Sequence, residues 1–173
     1  MYYAAIKRHD VANGPGVRVS LFVSGCEHAC PGCFNAEAWN FSYGEKYTQQ
    51  TEEAILQALT PVYIRGLSLL GGEPLHPRNS AAIAALAARV RKAYPAKDIW
   101  CYTGYDFERE LLPSCATSSA LRALLGNTDI LVDGRYIAAQ KNLNLRFRGS
   151  ANQRILLARE SLAAGQAILA QRI

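Results

Sequence analysis

No run of apolar residues in this chain is longer than the eight from Ala81 to Ala88. A helix that crosses a bilayer needs about 20, so a membrane-embedded protein is not expected. Internal repeats, low-complexity tracts and obvious linkers are missing as well, which excludes solenoids, collagens, coiled coils and disordered chains. The first ten residues place Lys7, Arg8 and Asp10 where a secretory signal would have its apolar stretch, and the expectation is a cytoplasmic protein. A basic stripe is lacking too. Lys and Arg outnumber Asp and Glu by 19 to 14, for a net charge of +5, but the cations are scattered, densest at Arg146, Arg148 and Arg154. Nucleic-acid binders cluster such residues, often with interleaved aromatics, so direct nucleic-acid contact is not expected. What remains, 173 residues of which half are hydrophobic and 19% charged, is the composition of one soluble globular domain.

Five cysteines, an odd number, sit in a chain without an export signal, which argues against a disulfide framework. Three of them, Cys26, Cys30 and Cys33, fall within eight residues, and such clustering asks for a metal or a redox role. Three thiolates on one short loop hold three corners of an iron–sulfur cubane and leave the fourth iron without a protein ligand. A small molecule can coordinate there. The Pro31-Gly32 turn lets the loop fold round a cluster and offers backbone N–H groups to its sulfides. The competing reading is a zinc-bearing basic module with His28 as fourth ligand, although zinc sites usually split their ligands into two pairs a dozen or more residues apart. Cys101 reads as a core thiol on a strand, and Cys115 carries no assignment. His9, His28 and His76 read as surface or supporting residues, not catalytic ones.

Val17, Val19, Leu21 and Val23 alternate with Arg18, Ser20, Phe22 and Ser24, the period of a strand. Thr48 can cap a helix to about Leu59. Ile64 to Leu70 reads as a second strand, followed by a helix capped by Asn79 or Ser80 and ended by Pro95. Asp98 to Thr103 and Asp129 to Asp133 are further strands. Helical pieces are expected at about Phe107 to Leu112 and Ser118 to Leu125, with Gly126 as a C-terminal cap. Leu143 to Phe147 and Gln153 to Ala158 are weaker strand candidates, and the last fifteen residues have a helical pattern interrupted by Gly165. Alternating strands and helices predict βαβ units and a mostly parallel sheet. A complete eightfold barrel takes about 250 residues, so the expected fold is α/β, a partial, open (β/α) barrel. The chemically unusual residues follow strands, at the end where such sheets bind ligands.

Cys26-x3-Cys30-x2-Cys33 after a first strand, followed one βα unit later by Gly71-Gly72-Glu73-Pro74, resembles the signature of the radical S-adenosylmethionine (radical SAM) superfamily. Asn13-Gly14-Pro15-Gly16-Val17-Arg18 resembles the motif of glycyl-radical-enzyme activases. Cys30-Pro31-Gly32-Cys33-Phe34-Asn35 with Trp39 is similar to those that activate the anaerobic (class III) ribonucleoside-triphosphate reductase. So are Asp98-Ile99-Trp100, Thr103-Gly104-Tyr105, Val132-Asp133-Gly134-Arg135, and Arg148-Gly149-Ser150 with Asn152-Gln153. The likeness runs from about Tyr3 to Ala158, which implies a single radical SAM domain over 1–158 and a tail over 159–173. Leu70 departs from it, standing where the family more often has Ser.

The resemblance implies a [4Fe-4S] cluster on Cys26, Cys30 and Cys33, with the amino and carboxylate groups of S-adenosyl-L-methionine on the open iron. One electron cleaves its C5′–S bond to methionine and a 5′-deoxyadenosyl radical, which takes a hydrogen from a glycine Cα of the partner reductase. No catalytic side chain beyond the cluster and SAM is implied. Gly71 and Gly72 let the backbone approach the methionyl group, Glu73 meets the ammonium, and Pro74 fixes the loop exit. Gly32 and Phe34 flank the third ligand and contact SAM. Asp133, Arg135 and Thr103 either bind its carboxylate or ribose, or Asp133-Gly134 simply turns the chain. Arg148 to Arg154 contact the partner or close the site, and Arg18 stands in the activase motif or in a surface pair. A flavodoxin is the plausible reductant. The alternative within the superfamily is an enzyme acting on a small molecule, such as one making a deazapurine.

Overall fold

In the computed structural model, which describes residues 1–171, the chain runs β1 (Tyr2–Asp10), β2 (Val17–Val23), β3 (Glu45–Lys46), α1 (Gln49–Ala58), β4 (Ile64–Gly71) and α2 (Pro77–Ala93). It continues through β5 (Asp98–Tyr102), a π-helical turn at Phe107–Leu111, α3 (Leu112–Ser114), α4 (Ser119–Asn127), β6 (Ile130–Asp133), β7 (Arg154–Leu157) and α5 (Ala158–Ala164). One seven-stranded sheet has the order β3-β1-β2-β4-β5-β6-β7. Its centre, β2-β4-β5-β6, is parallel. β1 pairs antiparallel with β2 and β3, and β7 antiparallel with β6. The fold is thus α/β with an open mixed sheet.

The parallel strands are linked through α1, α2 and α4, whose apolar sides pack on one face of the sheet, as crossovers of one hand require. That face is apolar. Val19, Leu21, Leu67, Leu69, Ile99, Cys101 and Leu131 point into the core with Ile55 from α1, Ile83, Leu86 and Val90 from α2, and Leu121 and Leu124 from α4. The alternate residues face the other way: Ser20, Ser68 and Trp100 lie side by side in register. On this second face Trp100, Ile130 and Val132 cluster with Ile155 and Leu157 of the neighbouring β7, and Phe147 packs on Trp100. β2 is buried along nearly its whole length. Arg18 is therefore not in a surface pair. Fully buried, it ion-pairs with Asp98 at 2.6 Å, donates to Ser68 Oγ at 2.7 Å and stacks on the Trp100 ring.

Most predicted elements stand where expected, including the Thr48 cap, whose side chain and that of Thr51 satisfy each other's backbone N–H. Others differ. α2 begins at Pro77 with His76 as its cap, because Pro at the first helical position loses no hydrogen bond; Asn79 and Ser80 lie inside the helix, buried. Gly126 is also inside a helix, α4, which Thr128 caps. Leu143 to Phe147 form no strand: turns fill the stretch, and Phe147 adopts φ 56°. β1 was not foreseen. In the tail, α5 stops at Gly165, which takes the left-handed φ of 65° that a helix end favours. Residues 172–173 of the expected helical tail lie outside the described residues.

Candidate active site

Four strand ends meet the loops that carry the sequence motifs. After β2, Gly25 N–H donates to Ala38 O at 2.7 Å and Cys26 N–H to Trp39 O at 3.1 Å, so the cysteine loop folds back on a 3-10 turn at Ala36–Trp39. After β4, Gly72 N–H donates to Val23 O and Glu73 N–H to Gly25 O, at 2.7 and 2.8 Å. The cysteine loop and the Gly-Gly-Glu-Pro loop are thus stitched together by backbone. Asn79 adds a side-chain clasp, its Nδ2 donating to Ser24 O and Glu73 O at 3.0 Å each.

These loops wall a cavity of about 450 Å³ on the sheet face opposite the helices. Cys26, Cys30 and Cys33 line it together with Gly71, Gly72, Glu73, Thr103 and Gly104. Gly32 and Phe34 lie at its wall, Phe34 87% exposed. The far wall comes from Tyr102, Tyr136 and the segment Lys141 to Gly149. All three loop cysteines are half-buried free thiols. Burial pushes the Cys26 thiol up to about 11, against the pull of the His28 and Ala29 backbone N–H groups that bond its sulfur. Those N–H groups suit an anionic sulfur. Ala29 reaches that position by adopting φ 47°, a conformation uncommon for residues other than Gly.

Glu73 is 1% exposed, and its carboxylate is surrounded by donors. Oε1 accepts from Leu75 N–H and the Thr103 hydroxyl, both at 2.9 Å. Oε2 accepts from Gly104 N–H at 2.8 Å and from His28 Nε2 at 2.9 Å. Asp133 and Arg135 turn away from the cavity, whose wall is formed instead by Gly134 and Tyr136 between and beside them. Asp133, 1% exposed, accepts from Phe107 N–H and pairs with Arg154, while exposed Arg135 pairs with Glu110. Neither of these two side chains is among those that wall the cavity. Pro74 is buried behind the loop and does not reach the cavity wall.

The stretch Ala12 to Leu156 matches the family of 4Fe-4S single cluster domains. An anaerobic ribonucleoside-triphosphate reductase-activating protein of Vibrio cholerae is 47% identical over 146 residues, 83% of this chain and 90% of that protein. Proteins of the same name from Escherichia coli and from bacteriophage T4 are 40% and 41% identical, covering 83% and 90% of this chain and 90% and 93% of their own. The chain belongs to the anaerobic ribonucleoside-triphosphate reductase-activating protein family.

An iron–sulfur cluster suits the cysteines of this family member better than one zinc ion does. Zinc–sulfur bonds of about 2.3 Å in a tetrahedron bring the ligand atoms to roughly 4 Å of one another. Among the described residues, the group of such ligands drawn within 4.8 Å is Asp106, Glu108 and Asp133, not the cysteines, and Arg154 already sits against all three of those carboxylates. His28, the fourth zinc ligand of the competing reading, is bonded to Glu73 instead. Spacing could not reveal that bond, nor Asn79 as a clasp, nor the segment Lys141 to Gly149 as a wall. For His28 the only sequence signal was its place midway between two cysteines.

Proposed function

We propose that the chain activates an anaerobic ribonucleoside-triphosphate reductase by generating its glycyl radical through reductive cleavage of S-adenosyl-L-methionine at a [4Fe-4S] cluster. The observation that carries this reading is the meeting, at one cavity, of three free cysteines on one loop with the Gly71-Gly72-Glu73 loop. The open sheet is then read as a partial (β/α) barrel of the radical SAM type, with residues 1–158 as the single domain. Cys26, Cys30 and Cys33 would hold three irons. When bound, the cluster and SAM supply one-electron bond cleavage and hydrogen-atom abstraction.

The chain's own residues do the rest. The backbone bonds of Gly25 and Cys26 to Ala38 and Trp39 hold the root of the cysteine loop in place, with the three thiols half-buried at the cavity. Gly32 and Phe34 border the third ligand, where an adenosyl group has an apolar surface to rest on. Gly71 and Gly72 let the Gly-Gly-Glu-Pro loop lie tight against the backbone of Phe22, Gly25 and Ala38 while it lines the cavity. Phe34 and Leu143 line the cavity yet are 87 and 89% exposed, an apolar rim against which a loop of a large partner would rest. A reductant such as flavodoxin would supply the electron.

The test is anaerobic. The protein is reconstituted with iron and sulfide, reduced and given SAM, and 5′-deoxyadenosine and methionine are quantified beside a Cys30→Ala control. Cleavage that is lost in Cys30→Ala, and a glycyl radical signal on adding the reductase, are expected. Protein that takes up zinc without iron or sulfide would defeat the reading.

A further inference from the structure

A carboxylate offers about four lone-pair directions, and Glu73 has four donors. Three of them, Leu75 N–H, Thr103 Oγ1–H and Gly104 N–H, belong to its own loop and to the end of β5. The fourth, His28 Nε2, comes from the cysteine loop. Against an ionised carboxylate, which only accepts, Nε2 is the donor of this bond. The imidazole is fixed on its other sides too. Its side chain is 6% exposed, its ring meets Tyr105 edge to face at 4.5 Å, and it fills the space beside Gly104, where a Cβ would come within 2.3 Å of the ring. A second pair runs alongside: Glu27 and His76, the cap of α2, approach to 3.4 Å. Both polar side chains between Cys26 and Cys30 therefore reach across to the Gly-Gly-Glu-Pro loop and the helix it enters.

We propose that His28 is a positioning residue: its hydrogen bond to Glu73 locks the cysteine loop to the Gly-Gly-Glu-Pro loop and so sets how the cluster faces the SAM site. The proposal rests on the function proposed above. It makes His28 neither a metal ligand nor a proton donor in the reaction. The backbone bonds of Gly72 and Glu73 join only the roots of the two loops; between Cys26 and Cys30, the loop is held by these side chains.

The experiment compares His28→Phe, which keeps a ring against Tyr105 and loses the donor, with His28→Gln, which keeps an N–H. The full chain is reconstituted anaerobically. Iron and sulfide content, the electron paramagnetic resonance spectrum of the reduced cluster, and its titration with SAM are recorded. His28→Phe is expected to carry wild-type iron, to give a broadened spectrum and to bind SAM about ten- to a hundredfold more weakly, the order of one lost hydrogen bond to a charged group. His28→Gln should recover most of that affinity. Loss of iron in His28→Phe that His28→Gln restores also supports the tether. A His28→Phe protein with wild-type spectrum and SAM affinity would overturn it, and so would equal impairment of both variants. Failure of the wild-type cluster to respond to SAM at all would instead sink the function; a normal wild-type response with unaffected variants sinks only the tether.

Discussion

At the residue scale, the double glycine was legible in the sequence but its physical reason was not. The sequence reading has Gly71 and Gly72 making room for a ligand. In the structure the protein itself occupies that room. A Cβ on Gly72 would lie 2.7 Å from Gly25 O and 2.9 Å from Ala38 O, and one on Gly71, at φ 108°, would press into the backbone of Phe22. Backbone cannot give way as a side-chain tip can. Gly72→Ala should therefore destabilise the protein before any cofactor binds, by about 1–3 kcal/mol, the usual cost of overpacking, or about 3–9 °C in Tm. Thermal unfolding of metal-free protein checks this; an unchanged Tm would return the glycine to a purely ligand-facing role. The three cysteines were readable because their chemistry is confined to one loop. The partners of Asp133 and Arg135 were not readable for a related reason: position after a strand marks the ligand end of the sheet, but not which way each side chain turns.

At the scale of elements, β2 was legible from its period of two, and β4, β5 and β6 as mainly apolar stretches ended by Gly or by a change to polar residues. β1 was not, since Tyr2–Asp10 begins apolar and ends in Lys7, Arg8, His9 and Asp10 with no period of two; its pairing with β2 decides its conformation. The acidic knot that joins β6, β7 and the π-helical turn also escaped, because its members are remote in sequence. Arg154 Nη2 meets Asp133 at 2.5 Å and Glu108 at 2.7 Å. Removing the guanidinium would leave Asp133 a buried charge, which costs about 3 kcal/mol or more. Arg154→Met should lower Tm accordingly, and adding Asp133→Asn should restore part of the loss; additive losses in the double variant would refute the coupling. The same knot has a pH signature. The Arg154 hydrogen bond holds the Glu108 carboxyl below its ordinary value near 4.5, outweighing the burial that would raise it, with help from Ala167 N–H. A folded-state value below the unfolded one adds stability above the ordinary value and loses it as pH falls through the folded one. Unfolding followed from pH 7 to 3 should show that loss below about pH 4.5, with a flatter profile in Glu108→Gln; parallel profiles would refute the assignment.

At the scale of the whole molecule, an open sheet leaves two edges, and exposed edges invite pairing with another chain. One edge is blunted by brevity and charge: β3 is the two residues Glu45–Lys46. The other, β7, is closed by the tail that follows α5. Leu157 N–H donates to Ile168 O and Ala170 N–H to Ile155 O, both within 2.9 Å, and Leu169 bridges Leu156. The tail is anchored in turn by Ala167 N–H on Glu108 at 3.1 Å and Ile168 N–H on the Ser161 hydroxyl at 2.9 Å. These bonds give a role to residues that the family match, ending at Leu156, does not cover. They also account for the helical pattern failing past Gly165, since the chain there must run extended along an edge. Truncation after Ala164 should thus expose the N–H and C=O groups of β7 and let copies associate through it. Light scattering against concentration is expected to show self-association in the truncated protein and none in the full chain. Iron binding at the distant cysteine loop should persist, because no tail residue lines that cavity among those described. A truncated protein that stayed monomeric with unchanged Tm would show that β7 needs no cover, and the tail would lose its structural role.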